Sequence, residues 1–111
     1  MSAPSTEPPL VPLRLPSREQ WVLHRLLGDR IERARRSPRT TPPPDPDVKG
    51  AFRKVESGSL LYTVPELQRT REYLAAYLQD GLGPDGERQY VVSIVERIDE
   101  ALAPVGPIPP G

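Results

Sequence analysis

TVPELQRTREYLAAYLQDG, running from Thr63 to Gly81, is the stretch on which the fold turns. Thr63 stands three residues before Glu66, the spacing of a capping box, in which the hydroxyl accepts from the third amide of a helix and the carboxylate reaches back to the amide of the capping residue itself. Pro65 falls in the opening turn, where a missing amide donor costs little. Val64, Leu67, Leu74, Ala75 and Leu78 then share one stripe at helical spacing, Tyr73 and Tyr77 lie toward other faces, and Gly81 suits the left-handed stop. Arg71 interrupts the stripe between Leu67 and Leu74. Its guanidinium must snorkel to solvent or find a carboxylate, because burying it unpaired costs several kcal/mol. The pattern predicts a helix over about 64–79.

Downstream, the turn-forming run from Asp80 to Gly86 leads to a second amphipathic segment, about 87–103. Tyr90, Val91, Ile94, Val95, Ile98, Ala101 and Leu102 mark one side of it. Gln89, Ser93, Glu96, Asp99 and Glu100 mark the other. Upstream, Val48, Ala51, Phe52 and Val55 form a short stripe over about 48–57, with Asp47 as the expected N-cap and Gly58 as terminator. The residues between, Ser59 to Tyr62, are expected to be a simple extended connector, since a lone short strand has no evident partner. The longest helix is expected over about 18–36, opened by Ser17 as a capping hydroxyl three residues before Gln20 and closed by Ser37-Pro38. Val22, Leu23, Leu26, Leu27, Ile31 and Ala34 form its broad apolar arc, and Trp21, His24 and Gly28 lie to one side.

Proline fences these segments. Fourteen of the sixteen prolines fall in three stretches, Pro4 to Pro16, Pro38 to Pro46 and Pro104 to Pro110, and the other two, Pro65 and Pro84, sit at helix starts. A residue without an amide donor that clashes with the preceding turn cannot sit inside a helix. The expectation is an all-α fold, a compact four-helix domain over 17–103, with a proline-rich linker at 37–47 that is stiff and largely polyproline II from Thr40 to Pro46. The proline-rich arm at 1–16 and the tail at 104–111 are expected to be extended or disordered. Leu10, Val11, Leu13 and Leu15 give the arm enough apolar surface to lie across the first helix and cover Trp21.

Composition removes several classes of function. With no cysteine, disulfides, thiolate metal sites and thiol nucleophiles are excluded. His24 is the only histidine, so a His-based triad or a His-carboxylate metal cluster would need every other group from different residue types. The glycine-rich run between Asp80 and Asp85 lacks the spacing and the terminal glutamate of a calcium loop. No phosphate-binding, dinucleotide or nucleophile-elbow motif occurs. No apolar run approaches the roughly 20 residues of a membrane span, and the N-terminus has no secretory pattern. A cytoplasmic protein that is not an enzyme is expected, with no cofactor, no metal and no small-molecule substrate.

Fifteen basic and fifteen acidic residues cancel overall, yet their distribution is uneven. Residues 1–54 hold eleven Lys or Arg against six Asp or Glu, and residues 55–111 hold four against nine, so the halves carry +5 and −5. Such halves attract each other within one chain or between two. Arg30, Arg33, Arg35, Arg36 and Arg39 crowd the end of the first helix, where cations also complement the helix dipole. Thirteen of the fifteen basic residues are arginine, a bias that a GC-rich genome produces with no binding role.

The run Ser17-Arg-Glu-Gln-Trp-Val-Leu-His24, with Asp29-Arg-Ile-Glu32, Phe52 to Gly58, Thr63-Val-Pro-Glu-Leu67 and the closing amphipathic helix, resembles a group of short, functionally uncharacterised haloarchaeal proteins. That resemblance spans most of 17–103 and implies no activity. The reading that emerges is a small helical module that binds a protein partner or a second copy of itself, with Trp21, His24 and Gly28 as the contact face. The alternative is a nucleic-acid-associated regulator that uses Arg30, Arg33, Arg35, Arg36 and Arg39.

Overall fold

Burial of four apolar stripes against one another dictates the architecture found in the computed structural model, which describes residues 10–81 and 85–105. The elements run β1 (Leu10–Pro12), α1 (Ser17–Arg36), α2 (Pro46–Ser57), β2 (Leu61–Thr63), α3 (Val64–Asp80), α4 (Asp85–Leu102) and a 3₁₀ turn (Ala103–Val105). The first helix packs on α2 and α4, and α3 packs on the same two, so the four form a closed ring. Leu23 and Leu27 of α1, Leu67 and Leu74 of α3, and Val91, Ile94 and Ile98 of α4 meet in its middle, with Val48, Ala51 and Val55 of α2 on one side. The fold is all-α. The expected arm at 1–9, the loop at 82–84 and the tail at 106–111 lie outside the described residues.

Three helix starts show how local chemistry selects a boundary. At α3 both halves of the capping box form: Thr63 Oγ1 accepts from the Glu66 amide at 3.2 Å, and Glu66 Oε1 accepts from the Thr63 amide at 2.8 Å. At α2 the cap is Asp45 rather than Asp47. Asp45 Oδ1 accepts from the Asp47 amide at 2.8 Å, and Pro46 takes the first helical position, where its lost donor is no loss. At α1 the expected cap fails: Pro16 precedes the helix, Ser17 is already helical, and no side chain caps. Glu19 has turned inward instead. It is only 6% exposed and accepts from Ser93 Oγ at 3.1 Å and Arg97 Nε at 2.8 Å, both on α4. A buried carboxylate needs such partners, and the first turn of a helix favours its charge. Gly58 and Gly81 end α2 and α3 at φ 77° and 65°, the left-handed conformation anticipated for them.

The connector at Ser59 to Tyr62 departs from expectation. Leu61–Thr63 is a strand whose partner is the N-terminal arm: β1 and β2 pair antiparallel, with Val11 opposite Tyr62, and the Leu13 amide donates to the Leu60 carbonyl at 2.8 Å. The described part of the arm, residues 10–16, therefore does not cover Trp21. Val11 and Leu13 alternate into the core while Leu10, Pro12 and Arg14 face solvent, the two-residue period of a strand with one buried side. The linker opens with a turn over Ser37 to Thr41, in which the Thr40 and Thr41 amides donate to the Ser37 carbonyl.

Two consequences are measurable. Leu13→Ala should lower unfolding free energy in urea by about 2 kcal/mol or more, although Leu13 lies outside every helix; a loss below about 0.5 kcal/mol would mean that the arm is not part of the core. Burial pushes the Tyr62 phenol up to about 12, with Glu66 adding to the shift. The neutral phenol is thus favoured in the folded state, so its contribution is complete below the ordinary tyrosine value near 10 and is lost as pH rises toward 12. Alkaline unfolding followed by circular dichroism should show that loss, and Tyr62→Phe should reduce it.

Candidate functional site

The exposed face of α1 presents one large apolar group. Trp21 is 64% exposed, and it is the chain's only tryptophan. Its position follows from helical spacing: Val22, Leu23, Leu26 and Leu27 take the core face, which leaves residue 21 on the shoulder. The Arg25 guanidinium lies one turn on, 5.9 Å from the centre of the indole ring, and is itself anchored to Asp29 and to Glu87 of α4. A cation held by two carboxylates over an aromatic face restrains the ring.

A depression opens on each side of this indole. On the α4 side a hollow of about 420 Å³ is walled by Arg18, Val22, Glu87 and Tyr90. Arg18 Nη1 donates to the Tyr90 hydroxyl at 3.0 Å across it, a bond that raises the affinity of Arg18 for its proton. On the α2 side a shallower hollow of about 310 Å³ is bordered by Ser17, Gln20, His24 and Glu56. Trp21 is the ridge between them.

The three residues expected to make the contact face do not share one fate. Trp21 is available. His24 is half-committed: its ring stacks on Phe52 with centroids 4.9 Å apart, and Nε2 lies 3.4 Å from Glu56 Oε2, yet it still borders the second hollow. Gly28 belongs to the interior contact. A side chain there would begin 3.2 Å from Phe52 Cε1, a tight contact that the Phe52 ring would have to shift slightly to accept. Sequence reading missed Arg18, Glu87 and Tyr90. Arg18, Trp21 and Arg25 recur at helical spacing on α1 and could have been grouped; Tyr90, placed on the core stripe of α4, sits at its rim.

The arginine cluster is partly engaged. Arg30 Nη2 donates to the Pro42 carbonyl at 3.0 Å. Arg33 Nη2 donates to the Tyr73 hydroxyl at 3.4 Å, and that hydroxyl donates to the Leu26 carbonyl. Arg35 and Arg36 share the single carboxylate of Glu32. Arg39 is exposed in the linker. Arg71 has found its acid, with Nε and Nη2 both donating to Asp99 of α4, at the edge of the bundle rather than inside it. Among the described residues no group of three His, Asp or Glu side chains could hold a metal ion, and no helix is long and apolar enough to cross a membrane.

Fold and surface together define a small four-helix domain bearing a tryptophan-centred face. The chain belongs to a family of unknown function, DUF7853, whose model matches residues 13–99. The match begins inside the N-terminal arm, at the buried Leu13, and carries neither an activity nor a haloarchaeal source. Comparison with curated proteins and comparison with solved structures each returned no match.

The restraint on Trp21 can be measured directly, because its fluorescence is free of other tryptophans. Arg25→Ala should lower indole anisotropy and increase acrylamide quenching, with helix content unchanged. Identical values in both proteins would mean that the guanidinium does not hold the ring.

Proposed function

We propose that this domain is a non-enzymatic, cytoplasmic interaction module that binds another protein chain through the Trp21 face, a second copy being the case to test first. The observation that carries the reading is the upright, solvent-facing indole between two hollows. Side chains that dominate binding between proteins are enriched in Trp, Tyr and Arg and pack into such recesses. Trp21, Tyr90, Arg18 and Arg25 supply that set in a few turns of two helices. Covering an indole removes on the order of 150 to 250 Å² of surface from water at little cost in side-chain freedom. Opposite charge on the two halves of the sequence favours pairing of copies, and the ion pairs at Arg25 and Glu87 could exchange partners across such a contact.

Nucleic-acid contact through Arg30, Arg33, Arg35, Arg36 and Arg39 has less behind it. Arg30 and Arg33 are turned onto the protein's own carbonyl and hydroxyl oxygens, Arg35 and Arg36 share one glutamate, and Arg39 is exposed in the linker.

Sedimentation velocity of the intact chain over roughly a hundredfold range of concentration tests the leading reading. The wild type should shift toward a larger species with a blue shift of Trp21 emission, and Trp21→Ala should stay monomeric with the same helix content. If the wild type is monomeric throughout, and both proteins retain the same partners from a lysate of the source organism, the Trp21 face is not a binding surface.

A further inference from the structure

The linker between α1 and α2 roofs a cleft remote from Trp21. Ile31 and Ala34 of α1 form its floor, Pro38, Pro43 and Pro44 form its wall, and it encloses about 450 Å³, within the size range of small-molecule sites. Prolines keep this wall from collapsing. Each fixes one backbone angle and offers no amide to a neighbour, so the recess is pre-shaped before anything enters it. The turn on the Ser37 carbonyl and the bond from Arg30 to the Pro42 carbonyl tie the linker down at two points.

Charge around the cleft has one sign. Arg35 and Lys49 line it, and no carboxylate does. Among the described residues the only acid paired with Arg35 is Glu32, at 4.0 Å, and Glu32 lies closer to Arg36, at 3.3 Å. Asp45, next in the chain after the proline wall, is occupied in capping α2 and in pairing with Arg69. Arg30, tethered to the same linker, has a buried Nη1 with no hydrogen-bond partner. Arg30 itself does not line the cleft, whose cations are Arg35 and Lys49.

We propose that this cleft binds a small amphiphilic carboxylate, with its apolar body on Ile31, Ala34 and the prolines and its head group against Arg35 and Lys49. The assignment gives the arginine-rich end of α1 a role that needs no nucleic acid. It departs from the sequence-based expectation of no small ligand, and it stands independently of the Trp21 face.

The test uses the intact, ¹⁵N-labelled chain titrated with decanoate, and in parallel with 1-decanol and with inorganic phosphate. Decanoate should bind saturably and move the amides of Ile31, Ala34 and Lys49, and both controls should bind at least about tenfold more weakly. Because Arg35 and Lys49 are solvent-facing, the double variant Arg35→Gln, Lys49→Gln should keep its fold, shown by an otherwise unchanged spectrum, and lose about tenfold or more in decanoate affinity. Equal binding of 1-decanol or of phosphate would overturn the proposal. So would unchanged affinity in the double variant, shifts centred on Trp21 and Tyr90, or no saturable binding of decanoate.

Discussion

One carboxylate, that of Glu66, fixes how three elements meet. It closes the capping box of α3 by accepting from the Thr63 amide, and it pairs with Lys54 of α2 while only 8% exposed. Gly50 of α2 faces it so closely that a side chain there would begin 2.4 Å from Glu66 Oε2. A glycine inside a helix costs about 1 kcal/mol relative to alanine. Here that cost makes room for a charged group that secures a helix start and a helix-to-helix contact together. Lys54 in turn lies over the Tyr62 ring, 5.8 Å from its centre, which links the same junction to the strand pair.

Much of this architecture is legible in the residues, because the signals are local. The capping box at Thr63, the left-handed glycines at 58 and 81 and the apolar stripes depend on neighbours within a turn or two. What the sequence hides is non-local. Nothing near Leu61 announces that its strand partner is Leu10 to Pro12, about fifty residues earlier. Equally, nothing near Glu19 announces its partners Ser93 and Arg97, which α4 brings to it.

The same division governs the two surface features. Trp21 stands out in the sequence as an aromatic beside an apolar arc, and the structure leaves it exposed. Gly28, on the same side, is claimed by Phe52 from a different helix, which no spacing rule along α1 reveals. The linker cleft was invisible for a related reason. Its walls come from α1, the linker and α2 together, and proline-rich segments read along the chain suggest only a spacer.

The strand pair bears on the order in which the molecule assembles. Joining Val11 to Tyr62 closes a loop of about fifty residues, an entropic toll that the short hops between successive helices avoid. The helices can therefore condense first, with the N-terminal segment zipping onto β2 afterward to add Val11 and Leu13 to the core. Only three residues form each strand, so the pairing is slight. Peeling it back is the least expensive route by which solvent reaches the interior, which makes Leu10 to Leu13 the gate to its unfolding.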